Sequence, residues 1–211
     1  TPRNLNFKMR PEQKDAVSQT SKFFRNFIKL YPEKTPKYLW NAKMRFGKTF
    51  TTYQLANEMK FKRVLVMTFK PAVENSWKED LEGHVDFEGW QFFSKNSLVK
   101  YEDLDFDKNI VCFGSFQDFL GRNPSTGGIK TKNKWVHKTD WDMVVFDEYH
   151  YGAWRENAKE LFETDDSKEK SFFFGEGLEY FDQDILPIKS KSYLYLSGTP
   201  FRAISSGEFL E

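Results

Sequence analysis

The sequence places a lysine and a threonine at the start of a predicted helix, directly after a loop that ends in glycine. Residues 42–49 read Ala-Lys-Met-Arg-Phe-Gly-Lys-Thr and follow a short apolar run. In this context the N–H groups of the loop and of the helix N-terminus point at a phosphate, and the helix dipole favours its charge. Lys48 would place its ammonium on the β- and γ-phosphates of a nucleotide, and the Thr49 hydroxyl would bind Mg²⁺.

The loop departs from the usual phosphate-binding pattern at one position. The pattern normally begins with glycine, and the corresponding residue here is Ala42, which is still small. Gly47 keeps the position where the backbone must approach the phosphate without a Cβ. The predicted nucleotide contacts of this segment are Met44, Arg45, Phe46, Gly47, Lys48, Thr49 and Phe50.

An acidic pair about 100 residues further on supplies the complementary chemistry. Asp147 and Glu148 directly follow the apolar run 142–146, and His150 comes two residues later. Acidic residues at the carboxyl end of a parallel strand face the crevice in which such sheets bind ligands. We expect Asp147 to hold Mg²⁺, Glu148 to orient or deprotonate water, and His150 to sense the γ-phosphate. Lys48, Asp147, Glu148 and His150 form the predicted catalytic set.

The elements that must position these residues alternate along the chain. Apolar runs rich in β-branched and aromatic residues predict strands at 38–40, 63–68, 90–93, 109–113, 142–146 and 192–196. Apolar residues at helical spacing predict helices at 10–30, 49–60, 71–81, 116–120 and 154–162. The polar stretch 121–140 is predicted to be a loop. Apolar strands that alternate with helices predict an α/β fold with a mainly parallel sheet covered on both faces.

Composition limits the classes of function. Hydrophobic residues make up 39% of the chain, which is enough for a core, and the formal net charge is +1, so any nucleic-acid surface must be a local patch. A single cysteine, Cys112, excludes an internal disulfide and a multi-cysteine metal site. We expect a soluble, cytoplasmic protein without a membrane segment. The start at Thr1 without Met and the polar end predict a piece of a longer protein.

Six motifs in order resemble the first motor domain of superfamily-two helicases, the DExH-box group. They are Arg10-Pro11-Glu12-Gln13, the loop 44–49, Thr68-Phe69-Lys70-Pro71, Gly114-Ser115-Phe116-Gln117, the acidic segment 147–150 and Ser197-Gly198-Thr199-Pro200. Gly198 replaces the alanine usual in the last motif. The resemblance implies a three-layer RecA-like P-loop NTPase domain over residues 1–211, with an N-terminal helical segment at 1–36. It also implies ATP and Mg²⁺ as cofactors, and ATP hydrolysis coupled to movement on DNA.

The same resemblance implies roles for further residues. Arg10 and Gln13 would contact the nucleotide, with Gln13 reading the adenine, and Ser197 and Thr199 would couple hydrolysis to movement. The predicted nucleic-acid contacts are Thr68, Lys70, Pro71, Ser115 and Gln117. The basic stretch 130–138 surrounds Trp135, which either stacks on a nucleic-acid strand or packs against the core.

The versions of the loop and of the last motif resemble those of type I and type III restriction motor subunits. In this family a second RecA-like domain follows and supplies an arginine finger, a role we do not assign to Arg202. Residues 1–211 alone are therefore expected to bind ATP weakly and hydrolyse it poorly. We expect the chain to act on double-stranded DNA rather than on RNA. Further expected partners are nuclease, methyltransferase or specificity subunits.

Two other interpretations explain part of the sequence. A small-molecule kinase or an unrelated nucleotide hydrolase accounts for the loop and the acidic pair, but not for Gln13 or for Ser197-Gly198-Thr199-Pro200. A non-catalytic nucleic-acid or protein-binding module on the same fold would not need Lys48 and the acidic pair intact. ATP hydrolysis with and without DNA separates these interpretations.

Overall fold

The computed structural model describes residues 2–68, 70–120, 134–148 and 188–198. Within these ranges six strands form one sheet, in the order β1-β6-β5-β2-β4-β3, and each pairing is parallel. The strands are β1 (Lys37–Asn41), β2 (Arg63–Thr68), β3 (Gln91–Phe93), β4 (Ile110–Ser115), β5 (Met143–Asp147) and β6 (Tyr193–Ser197). Each predicted strand overlaps an observed one, so the prediction of a parallel α/β sheet is confirmed.

Five α-helices lie in the described part of the chain. They are α1 (Pro11–Leu30), α2 (Lys48–Glu58), α3 (Glu74–Gly83), α4 (Phe116–Leu120) and α5 (Lys134–Lys138). Short 3-10 helices cover Pro71–Val73, Val85–Phe87 and Tyr101–Asp103. None of the helices described is long and apolar enough to cross a membrane. The predicted helix 154–162 lies outside the described residues.

Two predictions about these helices were wrong in part. The helix predicted from residue 71 begins as a 3-10 turn, and α3 starts only at Glu74. The predicted loop 121–140 contains α5, because tertiary packing outweighs its polar composition: Val136 is fully buried, and Trp135 packs against the core. Two carbonyls of this short helix also accept hydrogen bonds. The Trp135 carbonyl accepts from the Thr139 amide at 3.0 Å, and the Val136 carbonyl accepts from the Trp141 indole at 2.8 Å.

The core lies on both faces of the sheet. Along β2, Val64 and Val66 point into a cluster with α1, α2 and α3, whereas Leu65 and Met67 point into a second cluster with α4 and α5. This alternation follows from the two-residue period of a strand. Both sets are almost completely buried, and residues 64–67 of β2 are all apolar, as expected for a parallel sheet between two helical layers.

The register of the sheet brings the ends of several motifs to one edge. Thr68, the last residue of β2, pairs with Asp147 on one side and with Ser115 on the other. At the far end of the same edge, Asn41 pairs with Ser197, and the Ala42 amide donates to the Ser197 carbonyl at 2.8 Å. The segments that the sequence singles out therefore leave the sheet side by side.

Gly114, the one glycine of β4, has no room for a side chain. A Cβ built there would overlap the ring of Phe119, which is itself buried. We expect Gly114→Ala to lower the free energy of unfolding by about 1–3 kcal/mol through overpacking. Urea unfolding checks this. Phe119→Leu made in the same chain should recover part of the loss, and a change within about 0.5 kcal/mol for Gly114→Ala alone would contradict the packing described.

Candidate active site

Lys48 contacts both residues of the acidic pair. Its Nζ lies 2.7 Å from Oδ1 of Asp147 and also donates to Oε1 of Glu148. Asp147 is fully buried, while the side chains of Lys48 and Glu148 keep 25% and 28% of their exposure. The structure thus brings together three of the four predicted catalytic residues, and the fourth, His150, lies outside the described residues.

The backbone of the loop explains how Lys48 comes to open α2. Arg45 and Gly47 both have positive φ, at 67° and 77°, and Gly47 is the residue that caps the helix. The loop turns back on itself, since the Phe46 amide donates to the Lys43 carbonyl at 3.0 Å. A glycine tolerates the left-handed conformation without a steric penalty. Lys48 and Thr49 therefore stand at the first turn of the helix.

Glu148 leaves β5 with a left-handed backbone as well. Its φ is +54°, which for a residue with a Cβ costs roughly 1–2 kcal/mol. The Glu148 amide donates to Oδ1 of Asp147 at 2.8 Å. This turn directs the Glu148 carboxylate back to Lys48, so that the two carboxylates flank one ammonium group.

The electrostatics of this cluster favour charged Lys48. Burial alone would lower the pKa of Lys48, but the adjacent carboxylates of Asp147 and Glu148 outweigh burial and raise this pKa above its ordinary value. The ammonium is therefore held in its charged form, as a group that neutralises phosphate must be.

Helix α3 contributes two residues that sequence reasoning missed. The Trp77 indole N–H donates to Oδ2 of Asp147 at 2.8 Å, and both side chains are fully buried. Asp80, one turn later, interacts with the Thr49 hydroxyl and the Phe50 amide. A tryptophan four residues before Leu81 on an amphipathic helix looks like any core residue, so no signal in the sequence marked Trp77 for the site.

Arg10 and Gln13 hold the loop before α2 in place from the start of α1. The Arg10 guanidinium donates to the carbonyls of Arg45 and Phe46 at 2.6 and 2.8 Å, and the Gln13 amide donates to the same Phe46 carbonyl at 2.8 Å. The Gln13 oxygen accepts from the Arg10 backbone at 2.8 Å, as in a helix-capping box. Both residues therefore lie beside the loop, where they can contact a nucleotide bound to it.

The remaining loop residues differ in exposure. Met44 is 91% exposed, and Phe46 packs partly against Trp40. The Phe50 side chain lies in the core, where its ring meets those of Phe7 and His84. Only the backbone of Phe50 is placed to take part in the site.

Two of the predicted nucleic-acid contacts, Thr68 and Ser115, are paired at the carboxyl ends of β2 and β4. Lys70 and Pro71 are exposed. The buried hydroxyls of Thr68 and Ser115 accept backbone amides, from Lys70 at 3.0 Å and from Asp118 at 3.1 Å. Ser197 is buried at the end of β6, while Thr199 and the Gln117 side chain lie outside the described residues.

Trp135 packs against the core. Its ring stacks on Tyr101 with centroids 4.2 Å apart and meets Phe93, Phe119 and Trp141 edge to face. The core interpretation of Trp135 is the one that the structure supports.

Comparison with known proteins places the chain in a family. The family model described as "Type III restriction enzyme, res subunit" matches residues 6–202. The chain belongs to this family. Membership confirms the resemblance inferred from the motifs, that of a helicase-type ATPase domain of the restriction-enzyme kind.

One curated protein and two solved structures illustrate what the chain is similar to. The chain is 32% identical to the C-terminal part of a putative type II restriction enzyme and methyltransferase of Mycoplasma pneumoniae, over 95% of this chain and 29% of that protein. Among solved structures, the SWI2/SNF2 ATPase core of Sulfolobus solfataricus matches 97% of this chain and 34% of its own, with 18% identity and a TM-score of 0.52. A nuclease-deletion mutant of the type ISP restriction-modification enzyme LlaGI was solved with a DNA substrate mimic. It matches 92% of this chain and 18% of its own, with 13% identity and a TM-score of 0.48. The ATPase-core match shows that the fold is RecA-like, and the chain spans about a third or less of each of these proteins.

Removing Lys48 should destabilise the ligand-free protein, because Asp147 would be left buried without its cationic partner. We expect Lys48→Ala to lower the free energy of unfolding in EDTA by about 1–3 kcal/mol, below the value for a fully buried pair because Lys48 is partly exposed. Lys95 is a matched control, since its ion pair with Asp118, at 3.1 Å, is exposed. Lys95→Ala should cost at most about 0.5 kcal/mol. Equal losses in urea unfolding would contradict a structural role for the Lys48 cluster.

Asp80 should give the fold a distinctive dependence on pH. Burial raises the pKa of Asp80, although its contacts with Thr49 and Phe50 oppose this. The native state then binds the proton more tightly than the unfolded state does. The contribution of Asp80 to stability is therefore fully present below the ordinary pKa of about 3.9 and is lost as pH rises through the raised value. Asp80→Asn should therefore have a higher free energy of unfolding than wild type at pH 7. At pH 3.5 the difference between the variant and wild type should be smaller.

Asp118 supplies a control of opposite sign for this pH experiment. Burial would raise its pKa, but the Ser115 and Lys95 side chains outweigh burial and lower it. This carboxylate stabilises the fold above its ordinary pKa, and that contribution is lost as pH falls through the lowered value. Asp118→Asn should therefore lose stability at pH 7. Urea unfolding of both variants at the two pH values checks the pair, and changes of the same sign at pH 7 would rule out the account.

Proposed function

We propose that this domain binds Mg-ATP at the carboxyl edge of its sheet and hydrolyses it. The observation that carries the proposal is the contact of Lys48 Nζ with Asp147, at 2.7 Å, and with Glu148. An ammonium at the start of one helix here contacts two carboxylates from the end of a parallel strand, and the Thr49 hydroxyl follows in the same turn of that helix. Sites that bind a magnesium nucleotide combine these two parts.

The donor set suits Mg²⁺. The Thr49 hydroxyl and the Asp147 carboxylate are hard oxygen ligands, and Mg²⁺ is usually held by one or two such groups together with waters and phosphate oxygens. Among the residues that the structure describes, no group of three His, Cys, Asp or Glu side chains could hold a metal by itself. A site completed by the phosphates of ATP needs no such group. Bound there, Mg²⁺ would neutralise charge on the phosphates.

Each residue of the chain then has a defined task. Lys48 exchanges its carboxylate partners for the β- and γ-phosphates, and the amides at the start of α2 bind the phosphate oxygens. Glu148, released from Lys48, accepts a proton from water or orients it for attack. Gln13, next to the Phe46 carbonyl, contacts the adenine. His150 follows two residues after Glu148 and is proposed to sense the γ-phosphate.

We also propose that hydrolysis is coupled to double-stranded DNA. The exposed Lys70 and Pro71 follow β2, and Ser115 ends β4, the strand that pairs with β2. These positions lie on the same sheet edge as Asp147, so a DNA backbone bound there would lie next to the nucleotide site. Ammonium, hydroxyl and amide groups suit phosphate oxygens and do not depend on base sequence.

The partners proposed are those of a restriction motor. A second RecA-like domain would complete the nucleotide site with an arginine finger. The name of the mycoplasma relative combines a restriction enzyme and a methyltransferase, which supports nuclease and methyltransferase parts as further partners. Residues 1–211 alone are proposed to hydrolyse ATP poorly.

ATP hydrolysis by the longest natural polypeptide that contains these residues tests the proposal. Duplex DNA should stimulate hydrolysis. Glu148→Gln should lower kcat by about 10²–10⁴-fold, because the proton acceptor is lost, while binding of a fluorescent ATP analogue persists. Lys48→Ala should weaken both binding and hydrolysis, whereas Lys95→Ala should change neither. A wild-type protein that hydrolyses no ATP with DNA present, or that phosphorylates a small acceptor instead, would refute the motor function.

A further inference from the structure

Trp77 occupies the point where α2, α3 and the end of β5 meet. Its side chain is fully buried, and its indole N–H donates to Oδ2 of Asp147 at 2.8 Å. Its own carbonyl accepts the hydroxyl of Tyr53 from α2 at 2.7 Å, and the two rings pack edge to face with centroids 5.5 Å apart. Trp77 is thus held by the helix that follows the phosphate loop while it holds the carboxylate opposite that loop.

The two oxygens of Asp147 have different partners as a result. Oδ2 accepts from the Trp77 indole, whereas Oδ1 accepts from Lys48 Nζ at 2.7 Å and from the Glu148 amide at 2.8 Å. A carboxylate can rotate about its bond to Cβ, and a donor fixed on one oxygen removes that freedom. The indole therefore keeps Oδ1 directed at the centre of the site.

Helix α3 also has a fixed position relative to its surroundings. Its first residue, Glu74, accepts from the Asn96 side chain at 2.9 Å and from the Ser94 hydroxyl. The chain enters α3 from Lys70 through the 3-10 turn Pro71–Val73. The segment proposed to contact DNA and the indole on Asp147 are therefore parts of one continuous stretch of chain.

We propose, on the basis of the function proposed above, that Trp77 is a positioning residue that orients Asp147 for Mg²⁺ and joins this carboxylate to α3. Its indole acts through Asp147 and takes no part in the chemistry itself. Groups that hydrogen-bond a metal-binding carboxylate typically change metal affinity or activity by about 10–100-fold when they are removed.

Trp77→Phe in the longest natural polypeptide removes the N–H and keeps an aromatic ring. The Mg²⁺ concentration that half-maximally enhances binding of a fluorescent ATP analogue should rise about tenfold or more, and that for hydrolysis should rise in parallel. In EDTA, where Asp147 has no ion to bind, the analogue's Kd should stay within about twofold of wild type. This contrast separates orientation of the carboxylate from a general packing defect.

Trp141 offers a matched control on the other face of the sheet. It is also buried, and its indole donates to the Val136 carbonyl at 2.8 Å. Trp141→Phe removes the same kind of donor and should leave the Mg²⁺ dependence unchanged. Should Trp77→Phe fail to fold, β-(3-benzothienyl)alanine at position 77 decides the question, because a sulfur there replaces only the N–H.

The outcomes distinguish failure of the positioning role of Trp77 from failure of the proposed function. If wild type binds Mg-ATP but the Trp77 variants keep its Mg²⁺ dependence, the positioning role is wrong and the proposed function stands. Equal weakening of analogue binding with and without Mg²⁺ would also contradict the positioning role. If wild type shows neither Mg²⁺-dependent binding nor hydrolysis, the proposed function itself fails.

Discussion

The site depends on a buried negative charge that must have a partner. Asp147 has no solvent exposure, and an isolated carboxylate in that position would cost several kcal/mol. Lys48, the Trp77 indole and the Glu148 amide share its two oxygens. The need to satisfy this one side chain ties α2, α3 and the end of β5 together. It also holds the Lys48 ammonium between two carboxylates, whose negative charge the proposed polyphosphate would replace.

Parallel strand pairing makes this arrangement possible. When strands run in one direction, their carboxyl ends gather at one edge, and the last residue of each strand becomes a neighbour of residues far away in the chain. At this edge Thr68 pairs with both Ser115 and Asp147. In the sequence, Ser115 lies 47 positions after Thr68, and Asp147 lies 32 positions after Ser115. The same rule explains how a sheet can place a proposed nucleotide site beside a proposed DNA-binding edge.

Much of this architecture was predictable from local sequence. Apolar β-branched runs marked the strands, and the edge rule predicted that Lys48 and Asp147 would face each other. The sequence could not show which buried groups support them. Trp77 carries the signal of a core residue, and its second role depends on a 2.8 Å contact with a residue 70 positions away. Likewise α5 forms in a polar stretch because Trp135 and Val136 pack against the core, a contact that only the tertiary structure reveals.

The central claim is that the Lys48 cluster is a site for Mg-ATP that is closed by its own ion pairs until the nucleotide arrives. A crystal structure of the longest natural polypeptide with Mg²⁺ and a non-hydrolysable ATP analogue tests this most directly. We predict that Lys48 Nζ contacts the phosphates and that Mg²⁺ lies about 2.0–2.1 Å from the Thr49 hydroxyl, with Asp147 still bound by Trp77. An analogue bound elsewhere, with Lys48 still paired to Asp147, would contradict it.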